Sequence, residues 1–196
     1  KRILFDRTGG GEGIASLEGY IINKDTLLFM MDRCRALDQY RFHKDAVSDF
    51  LAGGGKMDIY VHPSYAAVIR NVDAYFKASM DMLNAENRSQ LFPPDNPVYT
   101  KIAEGVSTYY GEDAVSLNSL VADNCIIEGR VENCIISSGC RIARGAELRN
   151  CIIMRGCTIG EGSELVNVIA DKNCSFDSGI TLTGGAKLPV VVPKNS

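Results

Sequence analysis

The chain has 196 residues, 45% of them hydrophobic and 23% charged, and a formal net charge of -3. That hydrophobic content supports a packed core and excludes a disordered chain, and the length suits one large domain or two small ones. No basic block provides the footprint of a nucleic-acid binder, no apolar run reaches the roughly 18 residues of a membrane-spanning helix, and nothing near Lys1 reads as a signal peptide, so the expected location is cytoplasmic, with neither nucleic acid nor membrane as a partner.

The chain opens at Lys1 without an initiator Met, and a strand-like stretch follows almost at once, so it reads as a piece of a longer protein. Gly9, Gly10, Gly11 and Gly13 lack the Lys-Ser/Thr of a phosphate loop and precede a strand instead of opening a helix, so they read as a surface turn. The pattern predicts a strand over Ile14–Ile22. It then predicts a helix over Lys24–Leu37, capped by Asn23, with Leu27, Leu28, Met30 and Met31 forming a buried stripe. A second helix is expected over Lys44–Ala52, stopped by Gly53–Gly55, then a strand over Met57–His62 and a helix over Val72–Leu83 with Tyr75, Phe76, Met80 and Leu83 on its buried side. This order indicates part of an α/β layer over 1–85. A linker containing Pro93, Pro94 and Pro97 is expected over 86–112, and a second domain over 113–196.

That second domain carries a repeat of seventeen residues. Val131, Leu148, Leu165 and Leu182 align, as do Asn133, Asn150 and Asn167, then Ile135, Ile152 and Ile169, then Cys140, Cys157 and Cys174, then Ile142, Ile159 and Phe176, with Gly145, Gly162 and Gly179 closing each unit. An irregular first copy places Asn118 and Cys125 fifteen residues before Asn133 and Cys140. Within a unit the aliphatics Ile136, Ile142, Leu148, Ile153, Ile159 and Leu165 recur at steps of five or six, which fits neither a helical period nor a free hairpin. A triangular coil fits: each short strand makes one side, one aliphatic points inward, and Gly or Asn takes the corner where positive φ is needed. The Asn column reads either as a hydrogen-bonded ladder or as left-handed corners. The odd cysteine count without an export signal points to reduced thiols, and the thiol column, with neither a CxxC pair nor a repeat-borne His, reads as packing. The pattern resembles the hexapeptide-repeat, single-stranded left-handed parallel β-helix. Acyltransferases and metal hydratases of that class need histidines in their coils, whereas His43 and His62 both precede the linker, so the solenoid reads as a scaffold or assembly element.

The α/β segment, YFKASMDML, the Pro-rich linker with PVYTK, and NSLVADNCIIEGRVENCIISSGCRI together resemble the C-terminal half of bacterial glucose-1-phosphate adenylyltransferase, also called ADP-glucose pyrophosphorylase. The resemblance implies a nucleotidyltransferase-domain remnant followed by a β-helix used in assembly and allosteric communication. The implied family reaction makes ADP-glucose and pyrophosphate from ATP and glucose 1-phosphate for glycogen synthesis.

Three departures qualify the implied chemistry. Val68 stands where the family has an Asp that holds magnesium, and a valine offers no oxygen to a hard cation. Glu18 replaces a Gly lining the sugar-phosphate pocket, where a carboxylate repels phosphate. Arg41 and His43 replace an Asp and a Gly beside the retained Lys44 and Asp45. The resemblance therefore implies the paralogous GlgD-type regulatory subunit, with no catalytic residue and no cofactor of its own, Mg²⁺ being expected only in a catalytic partner. The implied partner is the catalytic subunit, in a hetero- or homo-oligomer through the β-helix, with a sugar phosphate as a candidate effector. Ser16, Lys44 and Asp45 are either remnants of the substrate pocket or ordinary surface and capping residues. Lys187 and Lys194 are either effector contacts or solvated lysines. The alternatives are an active sugar-phosphate nucleotidyltransferase whose N-terminal half lies outside this sequence, and a β-helix assembly module with no sugar-nucleotide role.

Overall fold

The computed structural model describes residues 16–100 and 105–196. The chain divides into two compact units, Lys1–Ala66 and Ala67–Ser196. The Gly-rich run and the first two residues of the expected Ile14–Ile22 strand lie outside the described residues.

In the first unit α1 spans Lys24–Ala36, and the Asn23 side chain accepts from the Asp25 N–H as the cap predicted from sequence. A π-type turn, Phe42–Ala46, leads into α2, Val47–Ala52, so the expected helix over Lys44–Ala52 is present but begins in a wider coil. Gly54 carries the chain out of α2 at φ +86, a conformation open to glycine without a Cβ penalty. Met30, Ala46 and Val47 form the small core, with Tyr20, Phe42, Phe50 and Met57 packed against it. The expected stripe on α1 is corrected here: Met30 is buried, whereas Leu27, Leu28 and Met31 are exposed. The expected strands at Ile14–Ile22 and Met57–His62 are also corrected, since neither the described part of the first nor any of the second forms a ladder. A strand exists only through hydrogen bonds to a neighbour, and the sheet such a stripe would cover is not among the described residues.

The second unit opens with α3, Val72–Met80, capped by the Asn71 side chain accepting from the Ala74 N–H at 2.7 Å. A 3₁₀ turn follows over Asp81–Leu83. Phe76 is buried and Tyr75, Met80 and Leu83 are half-buried, as the helical period predicts. The stretch read as linker contains a further helix, α4, Ala85–Leu91. Its start was legible in Asn84, which accepts from the Glu86 N–H at 2.8 Å, and Arg88 holds it to the preceding turn by donating to the carbonyls of Met82 and Leu83. The neighbouring prolines obscured that signal.

The remainder is a parallel β-helix with three flat sides, each a five-stranded parallel sheet in which every strand pairs with the equivalent strand of the next coil. The repeat becomes register directly: Val131, Leu148, Leu165 and Leu182 pair in succession, as do Ile142, Ile159 and Phe176. The first coil is two residues shorter, and Val115 pairs with Arg130 fifteen residues on. All six aliphatics predicted to point inward are buried, each adding roughly 1.5–3 kcal/mol by leaving water. The tail adds the final strand, Val190–Val192, on Val168–Ala170, and Ser196 accepts from the Ser175 N–H.

Corner geometry explains the rest of the repeat. Asn118, Asn133, Asn150 and Asn167 take φ +42 to +52, and Asn124, Gly139, Gly156, Asn173 and Asn195 take φ +58 to +74 at a second corner. The asparagines are thus left-handed corners; side-chain bonds occur at the ends of the first column and between Asn173 and Asn195 of the second. The cysteines prove to be more than filler: the thiols of Cys125, Cys140, Cys157 and Cys174 donate to the carbonyls of Ser137, Met154, Asp171 and Pro193 at 3.0–3.2 Å, serving corner oxygens of the adjacent coil. Buried Ser163 does the same for the Asp177 carbonyl at 2.9 Å. All seven cysteines are free. The neighbouring Cys157 thiol, together with burial, pushes the Cys140 thiol well up, and the neighbouring Cys134 thiol and burial do the same to Cys151. Both stay protonated and unreactive.

Candidate functional site

Two of the residues that depart from the family pattern, Glu18 and His43, meet in the first unit. Glu18 adopts φ +60, the backbone conformation that glycine takes most readily, which accounts for a glycine being at home there. Its carboxylate Oε2 lies 3.8 Å from His43 Nδ1, which the π-type turn presents. Glu18 and His43 are therefore neighbours, at two positions where the resemblance expects glycine. Arg41, the third replacement, turns onto Asp45: its N–H donates to Asp45 Oδ2 at 3.1 Å, and its Nε lies 3.8 Å from the same oxygen. Asp45 thus caps its own turn, and Ser16 Oγ accepts from the Glu18 N–H at 3.1 Å. Lys44 is half-buried on the same turn.

This turn is held by the α1–α2 contact. Arg33 grips Asp49 with two hydrogen bonds, Nε to Oδ2 at 2.6 Å and Nη2 to Oδ1 at 2.9 Å. The bidentate guanidinium holds the Asp49 carboxyl below its ordinary range.

In the second unit Val68 is exposed in the irregular segment before α3. An aliphatic side chain supplies no oxygen, so this position does not fit the magnesium that the resemblance implies. Among the described residues no group of three or more His, Cys, Asp or Glu side chains is placed to hold a metal ion. Lys187 and Lys194 are both exposed on the last coil, but they sit differently. Lys187 tips the tight turn closed by Gly185 and Leu188. Lys194 ends a corner column, because the N–H of Asn195 donates to the Lys172 carbonyl and that of Asn173 to the Arg155 carbonyl. Arg155, Lys172 and Lys194 therefore stack at equivalent positions of three successive coils. Arg155 and Lys172 keep the seventeen-residue spacing, but Lys194 follows Lys172 by 22 residues, which hides the third member of the column from the period.

Residues 102–185 match the family described as GlmU-like, C-terminal hexapeptide. The glycogen biosynthesis protein GlgD of Bacillus subtilis (strain 168) is 39% identical over 90 residues, 46% of this chain and 26% of that protein. The glucose-1-phosphate adenylyltransferase of Clostridium botulinum (strain Alaska E43 / Type E3) is 28% identical over 138 residues, 69% of this chain and 36% of the enzyme. The chain is a homologue of the GlgD and glucose-1-phosphate adenylyltransferase proteins. The GlgD of Geobacillus stearothermophilus, 38% identical over 69 residues, covers 35% of this chain and 20% of its own length. The chain therefore spans between about a fifth and somewhat over a third of these GlgD and adenylyltransferase homologues. No helix among the described residues is long and apolar enough to cross a membrane.

Proposed function

We propose that this chain belongs to a non-catalytic, regulatory subunit that works in the cytoplasm with a catalytic glucose-1-phosphate adenylyltransferase in glycogen biosynthesis. The observation that carries this reading is Val68, an exposed aliphatic at the position where the resemblance expects a magnesium-binding Asp. The Glu18–His43 contact supports it further, since a carboxylate facing into a sugar-phosphate pocket repels its phosphate while the imidazole fills its space. In this reading Ser16, Lys44 and Asp45 are pocket residues redirected to local structure, and catalysis with Mg²⁺ belongs to the partner subunit. The β-helix is the assembly element, and the Arg155–Lys172–Lys194 corner is where an anionic effector such as a sugar phosphate makes contact. Lys187 is a second, separate effector candidate.

The test assays the full-length protein alone, a catalytic subunit alone, and the two together, with ATP, glucose 1-phosphate and Mg²⁺. Background ADP-glucose synthesis by the protein alone, with altered kinetics of the mixture, is expected. Synthesis by the protein alone at the rate of the catalytic subunit overturns the proposal.

A further inference from the structure

The first corner column of the β-helix faces a groove. Asn118, Asn133, Asn150 and Asn167 line one side, and the α3–α4 segment lines the other with Phe76, Met80, Leu83, Asp81 and Asn87, around a volume of about 590 Å³. The column is hydrogen-bonded only at its ends: Asn118 Nδ2 donates to Asn133 Oδ1 at 2.7 Å, and Asn167 Nδ2 donates to the Gly184 carbonyl at 2.8 Å. Among the described residues, the Asn133 amide N–H groups and both ends of the Asn150 carboxamide have no protein partner. A regular asparagine ladder bonds at every step. This one breaks between Asn133 and Asn150, and both residues line the groove.

The charge of the lining selects a ligand class. Neither lysine nor arginine lines the groove among the described residues, and Asp81 contributes a carboxylate. An anion would meet no lysine or arginine among those described lining residues. A neutral molecule rich in hydroxyls would find carboxamides that both donate and accept, beside apolar side chains for its C–H faces. We propose that this groove binds a neutral carbohydrate carrying no phosphate. The inference goes beyond the regulatory reading above, which places an anionic effector at a different corner and requires no ligand here.

Corner geometry provides a clean test. Asn133 and Asn150 have φ +51 and +52, so exchange for glycine removes the carboxamide while keeping a backbone that glycine adopts readily. The side-chain NH₂ signals of the 196-residue chain are followed by ¹⁵N NMR during titration with maltotetraose, glucose 1-phosphate and inorganic phosphate in separate arms. Saturating shifts of the Asn133 and Asn150 signals with maltotetraose are expected. The double variant Asn133→Gly/Asn150→Gly should weaken binding at least about tenfold, as for one or two lost hydrogen bonds, whereas Asn124→Gly, at φ +62 on the other corner, should leave it unchanged. Matching thermal unfolding of both variants and the parent separates lost recognition from lost fold. The proposal is overturned by an absence of saturating shifts with maltotetraose, by unchanged affinity in the double variant, or by tighter binding of glucose 1-phosphate or inorganic phosphate at these amides.

Discussion

A Cβ placed on Gly129 would lie 2.4 Å from the Ala146 carbonyl oxygen and 2.8 Å from that of Ala143. Both are backbone atoms of the adjacent coil and cannot yield as a flexible side chain would. Gly162, by contrast, has nothing within 4 Å but sits at φ +64. Gly129→Ala should therefore destabilise the β-helix by about 2–3 kcal/mol through overpacking, and Gly162→Ala by about 1–2 kcal/mol through left-handed strain alone. Urea denaturation of the two variants should rank them in that order. The thiols offer a second check at this scale. Six of the seven are buried in the solenoid and Cys34 is half-buried in the first unit, so a thiol-specific reagent should modify one cysteine readily in the native protein and the rest only after unfolding. Rapid modification of two or more would contradict the assigned packing.

Helix caps and helix contacts determine the next scale. Asn71→Ala removes the acceptor for the Ala74 N–H at the start of α3, and a loss of about 1 kcal/mol is expected in chemical denaturation. Asn84 caps α4 in the same way, so the helix that composition disguised as linker was written in a single residue three positions before Asn87. In the first unit the Arg33–Asp49 pair gives a pH dependence of known sign. The guanidinium lowers the folded-state pKa of Asp49, so the pair's contribution is present above the ordinary carboxylate pKa and is lost as the pH falls below about 4. Helical circular dichroism should show an acid transition that Asp49→Asn weakens, and added salt should shrink the effect because both partners face solvent. The strands expected at Ile14–Ile22 and Met57–His62 belong to this scale too. Their alternation was legible, but alternation describes a face to be buried and provides no neighbour to pair with.

For the whole molecule, the proposed lack of catalysis rests on several residues and not on one. On the proposed regulatory reading Glu18, Arg41 and His43 depart from the family pattern independently of Val68, so Val68→Asp in the full-length protein should leave ADP-glucose synthesis at background. A substantial activity gain from that one change would mean that Val68 alone accounts for the missing activity. The seventeen-residue period by itself determined the β-helix and its inward aliphatics, because in a stacked coil each residue sits on its equivalent and a one-dimensional pattern becomes three-dimensional register without further information. Tertiary structure alone decided that α3 would cover the outer Ile152 and Ile169 of one side, that the asparagine ladder would break beside the groove, and that Glu18 would meet His43. Those outcomes depend on the approach of segments separated in sequence by 25 to more than 90 residues, and no local period records such an approach.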